Sequence, residues 1–283
     1  MLDARSRGEG RARASSARQA AEERPYRRLD GDVACGLLLL CDHAANALPK
    51  AYGSLGLPPY EFHRHIAYDI GAAGVTERIA EALDAPALLT RYSRLLIDPN
   101  RGADDPTLIM QISDGAVVPG NATIDDAERQ ARIARYYAPY HEAIAAAVDA
   151  ALATGKPPIL VSVHSFTSAW RGVQRPWHVA VLWDKDPRLA LPLLHALQAL
   201  PGLVAGNNVP YSGQLHGDTL YQHGTVRGLA HVLIEVRQDL ILTPEGQAEW
   251  GDRLADVLRN LMGNEEVASE LHRVQPFGSY THE

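Results

Sequence analysis

Three apolar runs in the sequence end in polar side chains of the kinds that bind metals or move protons. The runs read LLLLCDHAAN, ILVSVHSF and HVLIEVRQD. The polar residues at or near their ends are His43 with Asn46, His164, and Glu235 with Arg237. Because ligands of open α/β sheets bind at the carboxyl ends of the strands, we expect these side chains to lie close together.

Two histidines and an acid are suited to metal-assisted hydrolysis. A catalytic zinc keeps three protein ligands and one open position for water, and it lowers the pKa of that water to about 7. We predict one zinc, or another divalent metal, per chain, with His43 and His164 as ligands. Glu235 would be the base that moves the proton. Asn46, three residues after His43, could bring its amide oxygen to the same metal.

Each of these residues also has an ordinary structural interpretation. A single histidine at a strand end is more often hydrogen-bonded within the fold than bound to a metal. Glu235 could form a simple ion pair with Arg237. The two cysteines lie in one apolar run and provide no independent evidence for zinc. These residues therefore have two interpretations, a metal site and a structural role within the fold.

The segment SRLLIDPNRG offers an anchor for a carboxylate. It contains Arg94 at the start of an apolar run, and Asn100 and Arg101 just after the run. Arginine binds a carboxylate through a planar two-pronged contact, so these residues would hold an acidic substrate. Arg237 is a further candidate for substrate contact. The alternative is a loop in which Arg101 pairs with a neighbouring aspartate.

The elements that would position these residues alternate along the chain. Apolar runs predict strands, and amphipathic stretches predict helices at residues 59–84, 124–155, 187–200 and 244–262. Pro139 should kink or divide the second helix. A further strand is predicted at 94–100, followed by a long loop at 102–122. This alternation indicates an α/β fold with a mainly parallel or mixed sheet flanked by helices.

Composition narrows the possible classes of protein. The chain has 283 residues, of which 46% are hydrophobic and 22% charged, as in soluble globular proteins. The net charge of -7 gives no support for nucleic-acid binding, and no stretch approaches the ~20 apolar residues of a membrane span. Residues 1–32 are rich in arginine and predict a disordered tail before a single domain at 33–283. Two cysteines in an apolar run are typical of a reducing compartment, so a cytoplasmic location is expected.

Taken together, five short motifs resemble the N-formylglutamate amidohydrolase family, particularly its divergent branch. They are CDHAANALP, SRLLIDPNR, YYAPYH, VSVHSF and IEVRQDLI, and their order spans nearly all of residues 33–262. The family is similar in turn to zinc carboxypeptidases and aspartoacylases. The resemblance implies a zinc-peptidase-like, phosphorylase/hydrolase-like three-layer sandwich. It also implies that His43 and His164 are ligands, that Asn100 and Arg101 bind the substrate carboxylate, and that Glu235 is the base.

One position departs from the wider superfamily, in which a glutamate follows the first histidine ligand by three residues. This chain has Asn46 there. A neutral amide is a weaker ligand than a carboxylate for a dication, so either Asn46 still binds or another acid replaces it. Asp69 and Asp42 are the candidate replacements. Asp69 could instead orient Arg101 in the substrate site.

The sequence therefore predicts a metal-dependent amidohydrolase that cleaves a small N-formyl or N-acyl amino acid. An acidic substrate such as N-formyl-L-glutamate, the namesake of the family, is the expected one. Two alternatives stay open. One is a non-catalytic protein that binds an acidic metabolite through a degenerate metal site, and the other is a carboxypeptidase-like peptidase.

Overall fold

The computed structural model describes residues 24–282, which are built on a mixed seven-stranded β-sheet. In chain order the strands are β1 (Tyr26–Leu29), β2 (Leu37–Cys41), β3 (Ala87–Thr90), β4 (Ile112–Ser113), β5 (Ala116–Val117), β6 (Ile159–Phe166), β7 (Ala169–Trp170), β8 (Val173–Gln174), β9 (Val179–Leu182), β10 (Ala205–Asn207) and β11 (His231–Arg237). The α-helices are α1 (Ala72–Leu83), α2 (Asp126–Arg132), α3 (Ala138–Ala153), α4 (Pro187–Gln198), α5 (Pro244–Gly263) and α6 (Glu265–Leu271). Two π-helical segments, Ile133–Tyr137 and Tyr221–Thr225, lie between them.

The strand order places the three predicted strand ends side by side. The sheet runs β1-β3-β2-β6-β11-β9-β10. Strands β3, β2, β6 and β11 are parallel, whereas β1 and the β9–β10 pair run in the opposite direction. The carboxyl ends of β2, β6 and β11, which carry His43, His164 and Glu235, therefore meet at one edge of the sheet.

Helices cover both faces of the sheet, which confirms the predicted α/β sandwich. Successive side chains of a strand point to opposite faces, and β2 is buried along its whole length. Leu37 and Leu39 pack into a core shared with α1, α4 and α5. Leu38 and Leu40 pack into a second core shared with α3. A continuous apolar run is what a central strand needs when both of its faces are covered.

Most predicted elements are observed. The apolar runs form β2, β3, β6, β9 and β11, and the last two predicted helices are α4 and α5. The long helix is divided near Pro139, as predicted, because the π segment ends at Tyr137 and α3 begins at Ala138. Proline cannot donate the helical N–H hydrogen bond, and a π-helical bulge just before it is one way in which a continuing helix accommodates that loss.

Two predicted elements are wrong. Residues 94–100 form turns instead of a strand. Their apolar run reflects burial within these turns, since Leu95 and Leu96 are fully buried. The predicted helix at 59–84 is α-helical only from Ala72 onward. Gly71, just before it, has a φ of 81°, and a Cβ there would lie 2.2 Å from the carbonyl oxygen of Ile241. The chain therefore enters α1 through a left-handed turn that no other residue would fit.

The boundary of the predicted N-terminal tail is also displaced. Residues 1–23 of the predicted disordered segment lie outside the described residues. Tyr26–Leu29 forms β1, which pairs antiparallel with β3. A short edge strand gains its stability from this pairing, so its few apolar side chains give little signal in the sequence.

Two findings concern the environment of the protein. Among residues 24–282, no helix is both long enough and apolar enough to cross a bilayer. Cys35 and Cys41 are free thiols, and burial raises the pKa of each. The cytoplasmic location stays a prediction.

The core of the sheet gives a first testable prediction. Leu39 is fully buried in β2, whereas Leu242 is 59% exposed. We expect Leu39→Ala to lower the free energy of unfolding by about 3 kcal/mol, because it leaves a cavity. The matched control Leu242→Ala should change it by less than about 0.5 kcal/mol. Urea unfolding monitored by circular dichroism measures both, and equal losses would contradict the assigned position of β2.

Candidate active site

Asp42, directly after β2, is the centre of a buried hydrogen-bond network. Its Oδ1 accepts hydrogen bonds from the hydroxyls of Tyr140 (3.0 Å) and Thr219 (2.9 Å). Its Oδ2 accepts from the hydroxyl of Ser162 (2.6 Å) and lies 3.0 Å from Nε2 of His164. Burial by itself would raise the pKa of Asp42, but the bond to His164 and its charge lower this pKa below the ordinary range. Asp42 therefore stays ionised and fixes the ring of His164.

His164 lies between two carboxylates. Its Nδ1 is 2.8 Å from Oδ2 of Asp69, on the side of the ring away from Asp42. Burial would lower the pKa of His164, but the bonds to Asp42 and Asp69 raise it well above its ordinary value. Asp69 is nearly fully buried, and its own pKa is depressed despite that burial because both His43 and His164 favour the anion.

His43 repeats this arrangement in the turn after the neighbouring strand β2. Its Nδ1 is 3.3 Å from the same Oδ2 of Asp69, and its Nε2 is 2.7 Å from Oδ1 of Asp98. The other oxygen of Asp98 accepts two hydrogen bonds from Arg94. Burial opposes the charge of Asp98, but Arg94 and His43 hold the pKa of that carboxyl well below its usual range. The rings of His43 and His164 meet edge to face, with centroids 4.8 Å apart.

The group formed by His43, Asp69 and His164 could hold a metal ion. The three side chains are buried, and their ligand atoms all lie within 4.8 Å of one another. Two imidazoles and one carboxylate are a known ligand set of catalytic zinc. Each imidazole also uses its Nε2 to bond an aspartate, which is the outer-shell support that metal-binding histidines commonly have. The residues present therefore fit a divalent metal.

The oxygen donor of this group is the carboxylate of Asp69, one of the two acids considered as replacements for Asn46. The amide nitrogen of Asn46 instead donates to the carbonyl oxygen of Phe62 (2.7 Å), and Asn46 does not line the pocket beside the group. The backbone N–H of Asp69 donates to the carbonyl oxygen of His43 (3.0 Å). The chain thus folds back so that Asp69 lies next to His43, although they are 26 positions apart.

Glu235 lies beside the candidate metal-binding group formed by His43, Asp69 and His164. On β11 it is the register partner of His164 on β6, and only 7% of it is exposed. Its Oε2 is buried and has no hydrogen-bond partner. Burial, with a further contribution from the charge of Asp69, raises the pKa of Glu235 to about 7. A carboxyl group in this condition can both accept and release a proton near neutral pH.

A pocket of about 530 Å³ opens beside these residues. Its polar lining includes His43, Asp69, Glu235, Arg94, Asn100 and Arg101, so most of the predicted site residues are brought together there. Arg94 is engaged with Asp98, whereas Nε of Arg101 is buried without a hydrogen-bond partner. Arg101 is therefore the guanidinium most available to a ligand.

The segment that carries Asn100 and Arg101 is held by hydrogen bonds with three other residues. The backbone N–H of Asn100 donates to Asp98 (2.9 Å), and its side-chain oxygen accepts from the backbone N–H of Thr219 (3.1 Å). The hydroxyl of Tyr137 donates to the carbonyl oxygen of Arg101 (2.9 Å). These contacts hold Asn100 and Arg101 in place at the edge of the pocket.

Arg237, a predicted substrate contact, lies outside the pocket lining. Its guanidinium bonds Asp239, two residues along the chain, and the carbonyl oxygens of Arg175 and Trp177. Arg237 is placed there because β11 ends at this residue, where the chain turns and supplies its own acceptors. Its contact with substrate stays a prediction. The alternative ion pair between Glu235 and Arg237 is not observed.

Sequence reasoning did not identify the residues that support the histidines. Asp98, Ser162, Tyr140 and Thr219 each bond a carboxylate or imidazole of the network, yet they come from different parts of the chain. Two of them had a local signal. Asp98 immediately precedes the Pro99–Asn100–Arg101 sequence, and a hydroxyl in an apolar strand, such as Ser162 in β6, indicates a buried polar partner.

Mutation can show whether Asp69 or Asn46 supplies the oxygen ligand of the metal. We expect Asp69→Asn to lower the metal content of the purified protein by about tenfold or more, since second-shell changes alone cost 10–100-fold in affinity. Asn46→Ala should leave the metal content unchanged. Elemental analysis after dialysis against a limiting metal buffer measures both. Retention by Asp69→Asn together with loss by Asn46→Ala would reverse the assignment.

The chain is similar to two solved structures over most of its length. A gene product of Agrobacterium tumefaciens is 32% identical, with a TM-score of 0.80, over 90% of this chain and 98% of that one. An N-formylglutamate amidohydrolase of Ralstonia eutropha JMP134 shares the fold at 24% identity and a TM-score of 0.61, over 87% of this chain and 98% of that one. No curated protein matches the chain at a significant level. The sequence profile of the N-formylglutamate amidohydrolase family matches residues 35–242, and the chain belongs to this family.

Proposed function

We propose that the protein is a metal-dependent amidohydrolase that cleaves an N-formyl or N-acyl amino acid. One observation carries the proposal. Among residues 24–282, Nε of Arg101 and Oε2 of Glu235 are the buried side-chain atoms without a hydrogen-bond partner, and both residues line the pocket beside the metal-binding group. Unpaired buried polar atoms are costly, so their presence in one pocket supports a ligand that satisfies both.

His43, Asp69 and His164 are the residues that would hold the metal, with zinc as the first candidate. A divalent metal held there would supply Lewis-acid activation of water and polarisation of the amide carbonyl. Asp42 and Asp98 keep the two imidazoles in position by bonding their Nε2 atoms. The donor set, and not the identity of any relative, supports this role.

The substrate is oriented by its carboxylate. Arg101 binds it with charge-assisted hydrogen bonds, and Asn100 lies beside Arg101 in the pocket. Arg94 is engaged with Asp98 and contributes positive charge nearby. This anchor fixes the amide carbonyl relative to Glu235, which removes much of the entropic cost of the reaction.

Glu235 moves the proton. It accepts a proton from the water molecule as the water oxygen adds to the carbonyl carbon. It then delivers this proton to the amide nitrogen as the carbon–nitrogen bond breaks. The products are formate, or another carboxylate, and the free amino acid. A carboxyl group with a pKa of about 7 suits both transfers.

The alternatives fit the site less well. A protein that only binds an acidic metabolite has no need of a buried, unpaired carboxyl such as Glu235. A carboxypeptidase-like peptidase would share the anchor at Arg101 and would release C-terminal residues from peptides. Membership of a family named for a small amide supports the amidohydrolase over both. N-formyl-L-glutamate is the first substrate to assay.

Glu235→Gln tests the assignment of the base. We expect kcat to fall by about 10²–10⁴-fold, the usual contribution of a general acid–base group. Metal content should stay unchanged, because Glu235 is not a ligand. The control Glu265→Gln lies on an exposed position at the start of α6 and should retain full activity. A fully active Glu235→Gln enzyme would show that another group moves the proton.

Arg101→Met tests the carboxylate anchor. We expect KM to rise about 10–100-fold, because charged hydrogen bonds contribute about 1.5–3 kcal/mol. Arg101→Lys should recover part of the affinity but not the two-pronged geometry. The exposed Arg135→Met is the matched control. Steady-state kinetics separate KM from kcat, and an unchanged KM in Arg101→Met would exclude Arg101 as the anchor.

A further inference from the structure

Part of the pocket is apolar and has no role in the proposed reaction. Its apolar lining consists of Phe166, Trp170, Leu182, Tyr211, Leu215 and Leu233. Trp170 is 38% exposed and Tyr211 is 44% exposed, although both are large aromatic residues. Exposed aromatic surface in a concave site usually matches an apolar part of the ligand.

The three aromatic residues of this lining form what we call the aromatic wall: Phe166, Trp170 and Tyr211. The guanidinium carbon of Arg175 lies 5.7, 5.8 and 5.1 Å from their respective ring centroids. Arg175 is 9% exposed, and its Nη1 donates to the hydroxyls of Tyr211 (3.2 Å) and Thr167 (3.0 Å). Arg175 does not itself line the pocket. It therefore serves to fix the rings.

The charges of the pocket provide for one carboxylate. Arg94 is already paired with Asp98, so Arg101 is the guanidinium left for a ligand. Burial lowers the pKa of His65, so its ring is neutral at neutral pH. Asp114 also lines the pocket, but its carboxylate is already paired with Arg64 (2.7 Å). A second substrate carboxylate, such as the one on a glutamate side chain, would meet this ion pair and the aromatic wall, and the described lining offers it no guanidinium beyond Arg94 and Arg101.

We propose that the preferred substrate is an N-acyl amino acid with one carboxylate and one large apolar group that packs against the aromatic wall. This inference rests on the proposed function and narrows its substrate class. The apolar group can belong to the amino-acid side chain or to the acyl group. In either case it replaces the second carboxylate of N-formyl-L-glutamate.

Comparison of three substrates tests the proposal with the metal-supplemented full chain. They are N-formyl-L-glutamate, N-formyl-L-phenylalanine and N-benzoylglycine. We expect kcat/KM for one aromatic compound to exceed that for N-formyl-L-glutamate by about tenfold or more, the range that apolar complementarity supplies. The better aromatic compound identifies whether the side chain or the acyl group contacts the wall. A preference for N-formyl-L-glutamate over both would overturn the proposal.

Binding to Glu235→Gln keeps this test separate from catalysis. Calorimetry with the same three compounds measures Kd without turnover. Tighter binding of an aromatic compound, with no hydrolysis by the unmodified enzyme, would sustain the aromatic wall and overturn the proposed function. Tighter binding and faster cleavage of N-formyl-L-glutamate would sustain the proposed function and overturn the role of the aromatic wall.

Variants of the wall supply the final control. Trp170→Ala, or Tyr211→Ala if the first variant folds poorly, should lower the preference for the aromatic compound by about fivefold or more. Val173→Ala is the matched control, because Val173 pairs with Trp170 across the β7–β8 hairpin, is 70% exposed and does not line the pocket. If Arg175→Gln removes binding of N-formyl-L-glutamate alone, Arg175 is a second carboxylate anchor and the proposal fails.

Discussion

The compensation of buried negative charge is the constraint on which the site depends. Asp42, Asp69 and Asp98 are all buried at the end of the central strands. Removing each carboxylate from water costs several kcal/mol unless hydrogen bonds and opposite charges offset it. His43 and His164 supply much of that compensation. Their ring orientation follows, with Nε2 bound to an outer aspartate and Nδ1 directed at the shared Asp69.

This constraint connects separate layers of the fold. The hydroxyls that bond Asp42 come from α3, from β6 and from the segment before the second π-helical turn, at Tyr140, Ser162 and Thr219. Thr219 also bonds Asn100, so the same residue supports both the network around Asp42 and the segment that carries Asn100 and Arg101. A displacement of any of these elements would leave a buried charge unpaired. The network therefore makes the site rigid without a ligand.

The pocket side of the site has the opposite character. Glu235 and Arg101 each keep a buried atom without a partner, whereas the carboxylates behind them are saturated. Such contrast is expected where a protein reserves polar groups for a ligand. The aromatic wall shows the same difference, because the guanidinium of Arg175 contacts the three rings and does not line the pocket. A preorganised site needs rigid supporting residues, here the buried carboxylates, and polar groups that are available to the ligand, here Glu235 and Arg101.

Local patterns in the sequence determined the strands that deliver His43, His164 and Glu235, the change in the long helix beside Pro139, and the polar pair Asn100–Arg101 that follows an apolar run. These are readable because burial on both faces of a strand, and the missing N–H of proline, act on neighbouring residues. Only the tertiary structure decided that Asp69, and not Asn46, lies against His43 and His164, that Arg237 turns away, and that residues 94–100 form turns. The physical reason is that these outcomes depend on contacts between distant segments, such as the hydrogen bond from the backbone of Asp69 to His43. An apolar run records that a segment is buried, but not which segment lies against it.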